Sequence, residues 1–177
     1  MMEKTLATRR AFDGNLLSVD VVDVELSDGR RSMREIVRHS KATVVLGELP
    51  DGRFVLVRQF RKALEEEMIE AVAGGQEEGE SAEECAKREM KEESGYEVVS
   101  IDYLGAIVSS PGFCDEVLYA YHARLEAERW EQIPDEDEEV EVLLRSRDEI
   151  EKMIVVGEII DGKTMAAWTL LGLKKLG

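Results

Sequence analysis

The chain has 177 residues, 44% of them hydrophobic, only three prolines, and a formal net charge of −16 at pH 7. That length suffices for one compact domain with a real core, while the acidity argues against nucleic acid or an anionic membrane as partner, because no basic stripe is present to neutralise phosphates. Cys85 and Cys114 are the only cysteines and His39 and His122 the only histidines, which speaks against a disulfide framework and against zinc-hydrolase spacings.

The amino terminus, MMEKTLATRRAFDG, has no signal-type apolar run, and no segment reaches the ~18 apolar residues of a membrane span. A cytoplasmic protein is expected. Strand-like runs follow in order: LLSVDVVDVEL, REIVRH, ATVVLGEL and RFVLVRQF, the last two separated by the turn signal PDGR. Residues 1–40 read as an N-terminal β segment, either a small sheet of its own or an arm that forms a dimer, and 41–177 as the main domain. A helix then opens at Ser81 with Glu84 in a capping box and stops at Gly95. Beyond it come the strand patterns YEVVSIDYLGAIVSS, EVLYAYHARL and EVEVLLR. Two helices close the chain, one opened by a second S-x-x-E box at Ser146 and one covering KTMAAWTLLGLKKL. Strands and helices do not alternate, so the fold class is α+β with a mixed sheet.

The helix from Ser81 carries its acids in an unusual place. At about 100° per residue, Ala82, Cys85 and Ala86 form the inward stripe, yet Glu89 and Glu93 fall about 20° to either side of Ala82 and Glu92 lands near Cys85. The outer face already holds Glu83, Glu84, Lys87 and Lys91. Carboxylates at i, i+3 and i+4 on an inward face repel and desolvate one another unless a cation neutralises them. Oxygen donors at this density suit a hard divalent ion, Mg²⁺ or Mn²⁺.

With its upstream loop the stretch reads Gly74-x5-Glu80-x7-Arg88-Glu89-Met90-x-Glu92-Glu93-x-Gly95-Tyr96. This resembles the Nudix box, the signature of hydrolases that act on nucleoside diphosphates linked to another moiety; Tyr96 stands where the strict pattern has an aliphatic residue. The resemblance implies a mixed sheet sandwiched between helices. It also makes Glu89 and Glu93 the principal metal ligands, assisted by Glu92 and the backbone carbonyl of Ala73, with Arg88 holding a carboxylate in place. Arg88 also has an ordinary i, i+4 partner in Glu92, and Glu80 is open between loop amides and metal.

The flanks are similar to the ADP-ribose pyrophosphatase group. Gln59, Phe60, Arg61, Glu70, Ala73 and Gly74 match its upstream segment, with Val72 where many members have proline. Pro111 follows Gly95 by sixteen residues, with Gly112 and Glu116 in register. The resemblance makes Arg34, Arg61, Glu70, Gly112 and Glu116 substrate-binding candidates. Arg34 and Arg61 could be ordinary surface strand residues, but phosphate demands cations and the chain is poor in them, which favours the binding role; Glu70 could equally be a satisfied core acid. The acidic run DEDEEVE, residues 135–141, occupies the place of a loop that supplies the water-activating base in this group; Glu136 and Glu138 lead, and a solvated loop is the plain alternative. Phe12, Phe60, Phe113 and Trp168 are candidates for stacking on a base, though scattered aromatics are more often core. The implied reaction is Mg²⁺-dependent hydrolysis of ADP-ribose to AMP and ribose 5-phosphate by a homodimer. A GDP-mannose-type pyrophosphatase and a non-catalytic sensor module are the alternatives.

Overall fold

The computed structural model describes residues 2–133 and 139–174. The chain divides into two units: residues 1–41 with 108–117, and residues 42–107 with 118–177. In the first unit, β1 (Lys4–Asp13), β2 (Leu17–Glu25) and β3 (Arg31–His39) form an antiparallel sheet in the order β1-β2-β3. Asp20, Val22 and Val24 alternate inward along β2, the period of a strand with one covered face. All ten residues of β1 are exposed, so KTLATRRAFD carries no alternation by which the sequence could declare a strand. The segment 108–117 docks on β3 by main-chain bonds: Val37 N–H donates to Phe113 O (2.7 Å) and Asp115 N–H to Val37 O (3.1 Å).

The second unit holds a mixed sheet with three helices. Its strands are β4 (Ala42–Glu48), β5 (Phe54–Arg61), β6 (Glu66–Glu70), β7 (Val72–Gly75), β8 (Tyr96–Val108), β9 (Val117–Arg129) and β10 (Val140–Arg145), with helices α1 (Ala82–Ser94), α2 (Arg147–Val156) and α3 (Gly162–Lys174). Strand order is β10-β5-β4-β9-β8; β4 runs parallel to β9, while β10–β5, β4–β5, β4–β7 and β5–β6 are antiparallel. β4 and β5 pair only through Gly47–Val55 and Glu48–Phe54 before they part. β7 then lines β4, and β6 lines β5. EEEMIEAVAGG gives no strand signal in the sequence, because two short runs of acids and small residues lack both alternation and β-branched density.

Six of the seven β4 residues, ATVVLG, are buried, as a strand covered on both faces must be. Val44 and Leu46 join Leu56, Ile150, Met153, Ala167 and Trp168 in one core, beneath α2 and α3. Val45 joins Val57, Val72, Ala86, Met90 and Tyr121 in another, beneath α1. The expected sheet between helices is therefore present. No described helix is long and apolar enough to cross a membrane.

Both capping boxes form as the sequence indicates. Ser81 accepts from Glu84 N–H while the Glu84 carboxylate accepts from Ser81 N–H, and Gly95 ends the helix in the left-handed region at φ 75°. A Cβ there would lie 2.3 Å from Trp130 O, a second reason for glycine. Ser81→Ala should cost about 1 kcal/mol, the typical worth of an N-cap, read as a lower urea midpoint with unchanged m. No change would show that packing alone starts α1.

Candidate active site

α1 buries Cys85, Ala86, Met90, Glu93 and Ser94. Glu93 is 3% exposed, although an unneutralised acid is among the least favourable groups to bury. The side chain of Glu89 is 12% exposed and that of Glu92 39%, so Glu92 stands at the margin of the inward face rather than within it. The outward set Glu83, Glu84, Lys87 and Lys91 is exposed, with Lys87 and Glu83 paired at 2.6 Å.

Arg88 is the hub of this face. Its Nε and Nη2 donate to the two oxygens of Glu80 at 2.9 and 3.0 Å, and its Nη1 donates to Glu89 Oε1 at 2.7 Å and Glu92 Oε2 at 3.0 Å. Nη2 also reaches Gly75 O at 3.0 Å. Glu80, with Glu89 and Glu92, holds this guanidinium charged well above its ordinary range. Arg88 in turn lowers Glu80, whose Oε2 also accepts Glu77 N–H at 3.1 Å. Glu80 therefore ties the loop to the helix through an arginine and a loop amide, and Arg88 combines its local i+4 pairing with the carboxylate-holding role.

β7 brings Gly74 against this cluster. A Cβ on Gly74 would lie 2.0 Å from Glu89 Cδ, so a side chain there would push that carboxylate from its place beside Arg88. Beneath, Cys85 Sγ sits 3.3 Å from Gly75 O and 3.4 Å from Thr43 Oγ1, and burial pushes its thiol up to about 11, which keeps it a neutral packing group. The far end of α1 is fixed by residues the sequence reading passed over. Ile133 N–H donates to Glu92 O at 3.0 Å, Gln132 Nε2 to Glu93 O, Arg129 Nε to Ser94 O at 3.0 Å, and Trp130 N–H to Gly95 O at 2.8 Å. These contacts occupy carbonyls that a helix end leaves open. ERWEQI has no motif that would announce this role.

Arg61 and Glu70 form a bidentate pair between β5 and β6, Nε to Oε1 at 2.8 Å and Nη2 to Oε2 at 2.6 Å. Glu70 is 2% exposed, so it stands behind Arg61 as its anchor. Burial pushes the Glu70 carboxyl up, but Arg61 and Lys163 outweigh it and hold the group below its usual range. Glu70 raises Arg61, and Glu93 and Asp161 add to that at longer range, which puts Arg61 within electrostatic reach of the acidic helix.

Arg34, Gly112 and Glu116 lie in the first unit. Arg34 pairs with Glu3 through Nε at 3.1 Å and through Nη2. Glu116 accepts from Ser109 Oγ at 2.8 Å and lies 3.6 Å from His39 Nδ1. Gly112 sits in the turn closed by Phe113 and Cys114 N–H on Ser110 O, with open space where a side chain would be. Glu136 and Glu138 lie outside the described residues. Of the aromatic candidates, Trp168 packs edge-on against Phe54 under Arg147 and is core, whereas Phe12, Phe60 and Phe113 are exposed.

The donor set suits a hard divalent cation: carboxylate oxygens of Glu89, Glu92 and Glu93 on one helix, with Ala73 and Gly74 of β7 alongside. Among the described residues, however, no three acidic, His or Cys side chains close on one point as a finished cage. Arg88 draws Glu89 and Glu92 onto itself, which is how mutually repelling carboxylates settle when an arginine is the nearest cation.

Comparison with known proteins agrees with this layout. The NUDIX domain model matches residues 37–161. Over 174 residues, 98% of this chain and 94% of the relative, the sequence is 39% identical to the ADP-ribose pyrophosphatase of Bacillus subtilis (strain 168). It is 38% identical over the same shares to the methanol dehydrogenase activator of Bacillus methanolicus. A GDP-mannose pyrophosphatase of Yersinia enterocolitica is 30% identical across 90% of this chain and 87% of its own length. A solved structure described as an ADP compounds hydrolase superposes with a TM-score of 0.88 at 22% identity, covering 100% of this chain and 97% of its own, and so supports the fold. A family model spanning most of the chain, relatives near 40% identity over almost its full length, and the Arg88-centred box together place the chain in the NUDIX domain family.

Proposed function

We propose that the chain hydrolyses the diphosphate bond of ADP-ribose to AMP and ribose 5-phosphate, using Mg²⁺ held by Glu89, Glu92, Glu93 and the Ala73 carbonyl. The near-full-length match to an ADP-ribose pyrophosphatase is the observation that carries this reading. The Arg61–Glu70 pair supports it: with Nε and one Nη2 hydrogen committed to Glu70, the guanidinium keeps other N–H groups for phosphate oxygens. In a chain of net charge −16 such a fixed cation matters, because a dianionic substrate meets mostly repulsion.

When bound, the metal would neutralise phosphate charge and lower the pKa of an attacking water. The chain's own groups divide the rest of the work. Arg88 keeps Glu89 and Glu92 together, Gly74 allows β7 to lie against them, and Arg61 grips the diphosphate from β5. Arg34, Gly112 and Glu116 keep the substrate-binding roles that the resemblance implies. A carboxylate of the acidic run, Glu138 or Glu136, takes the proton from water. The uniformly exposed β1, including Leu6 and Phe12, supports a homodimer formed through the N-terminal sheet, and the two free thiols suit the cytoplasm.

The relatives named GDP-mannose pyrophosphatases favour a second hydrolase reading. A sensor is disfavoured by the intact box carboxylates. The deciding experiment offers ADP-ribose, GDP-mannose, NADH, diadenosine polyphosphates and nucleoside triphosphates with magnesium and identifies the products. ADP-ribose should have the highest kcat/KM. A preference for GDP-mannose of about tenfold or more, a ratio that pocket contacts readily generate, would install the alternative, and tight ADP-ribose binding without turnover would indicate the sensor.

The general base is read separately. Changing the responsible residue, Glu138→Gln or Glu136→Gln, should lower kcat by about 10²–10⁴ with stability unchanged, the usual worth of a positioned proton acceptor. Near-normal rates in both would move the base to Glu92, Asp137 or Glu139.

A further inference from the structure

Among the described residues Glu70 is a deeply buried acid that the proposed chemistry does not use directly, and a second cation meets it beside Arg61. Lys163, in the first turn of α3 and 17% exposed at its side chain, ion-pairs with Glu70 Oε2 through Nζ and lies 3.1 Å from Asp161 Oδ1. The same turn is locked to the strand junction. Thr164 N–H and Oγ1 donate to Asp161 Oδ2 at 2.9 and 2.5 Å, and Thr164 Oγ1 accepts Ala71 N–H at 2.7 Å. Ala71 directly follows Glu70 and joins β6 to β7, the strand that lies against Glu89. Two acids, Glu70 and Asp161, thus face two cations, Arg61 and Lys163, in one connected group built from β5, the β6–β7 junction and α3.

From this arrangement we infer that Lys163 is a positioning residue for the Arg61 grip on the diphosphate. The inference rests on the reading of Arg61 as that grip. A carboxylate bound in bidentate fashion fixes the plane of its guanidinium, but only if the carboxylate is itself fixed. Glu70 Oε1 accepts from Arg61 Nε, whereas Oε2 is shared by Arg61 Nη2 and Lys163. Lys163 therefore sets the rotation of the carboxylate about its own axis, and through it the direction of the Arg61 donors that remain for substrate. It also pairs with Asp161, so that the two acids and two cations of the group carry no net charge. The sequence signal, Asp161-Gly-Lys-Thr at a helix start, is legible as a cap but gives no hint that its lysine reaches β6.

The test is a double-mutant cycle on the full chain with ADP-ribose and magnesium, alongside calorimetric binding of inorganic pyrophosphate with magnesium. Lys163→Met keeps the length and drops the charge. It should raise KM about tenfold, the equivalent of about 1.4 kcal/mol, with kcat within about twofold, and should weaken pyrophosphate binding in parallel. Arg61→Ala should raise KM further, and adding Lys163→Met to it should then change KM less than about twofold, because contacting residues that act through one another are non-additive. Lys163→Gln, which keeps a donor, should show a smaller rise than Met, and it carries the cycle if the Met chain does not fold. Wild-type KM in Lys163→Met, or full additivity with Arg61→Ala, overturns the inference. A wild-type chain that binds pyrophosphate but hydrolyses no nucleoside diphosphate derivative overturns the proposed activity alone, and the cycle is then read on pyrophosphate Kd. A wild-type chain that neither binds nor hydrolyses a diphosphate overturns both.

Discussion

The second unit depends on keeping carboxylates close together where water is scarce. Glu89, Glu92 and Glu93 share one side of α1, with Glu93 sealed in the core, and that arrangement is unfavourable without positive charge nearby. Arg88 supplies part of it by binding Glu80, Glu89 and Glu92 at once. The same guanidinium ties the loop before α1 to the helix, so neutralisation and loop geometry follow from one side chain. Gly74 follows from the same constraint, since any Cβ would overlap the Glu89 carboxylate.

Around this centre the fold acts mainly as a clamp on α1. Ser81 and Glu84 fix its start, and residues 129–133 hold its last carbonyls. The sheet beneath it opens where β4 and β5 diverge, which lets β7 approach the helix while β6 carries Glu70 back to Arg61. A second charged group, on α3, braces that return strand from behind. The acidic helix and the Arg61–Glu70 pair are thus held by different elements, so each can be altered with the other in place.

Much of this was legible in the residues because local rules and global fold agree there. The capping boxes at Ser81 and Ser146, the stop at Gly95 and the inward Glu93 all followed from spacing. Reading failed where a strand's character comes from its partners. β1 is exposed throughout and shows no alternation, and β6 and β7 are too short and too acidic or glycine-rich to signal strand. Projection on a wheel placed Glu92 inward, but the helix packs on β7 and β4 along a narrower stripe and leaves it 39% exposed. Lys163, Gln132 and Arg129 were invisible for another reason. Their partners lie far off in sequence, and a lone lysine or glutamine announces none of them.

The proposed function turns on divalent-cation binding by the inward acids of α1. Its most direct test is calorimetric titration of Mn²⁺ into the wild-type chain and into Glu93→Gln, with circular dichroism and urea unfolding to show that both are folded. Glutamine keeps the shape of Glu93 and removes one charge. The expected result is a folded variant whose Mn²⁺ affinity is lower by no less than the roughly tenfold that loss of even a supporting residue costs at metal sites. Equal Mn²⁺ affinity in the two folded chains would contradict it.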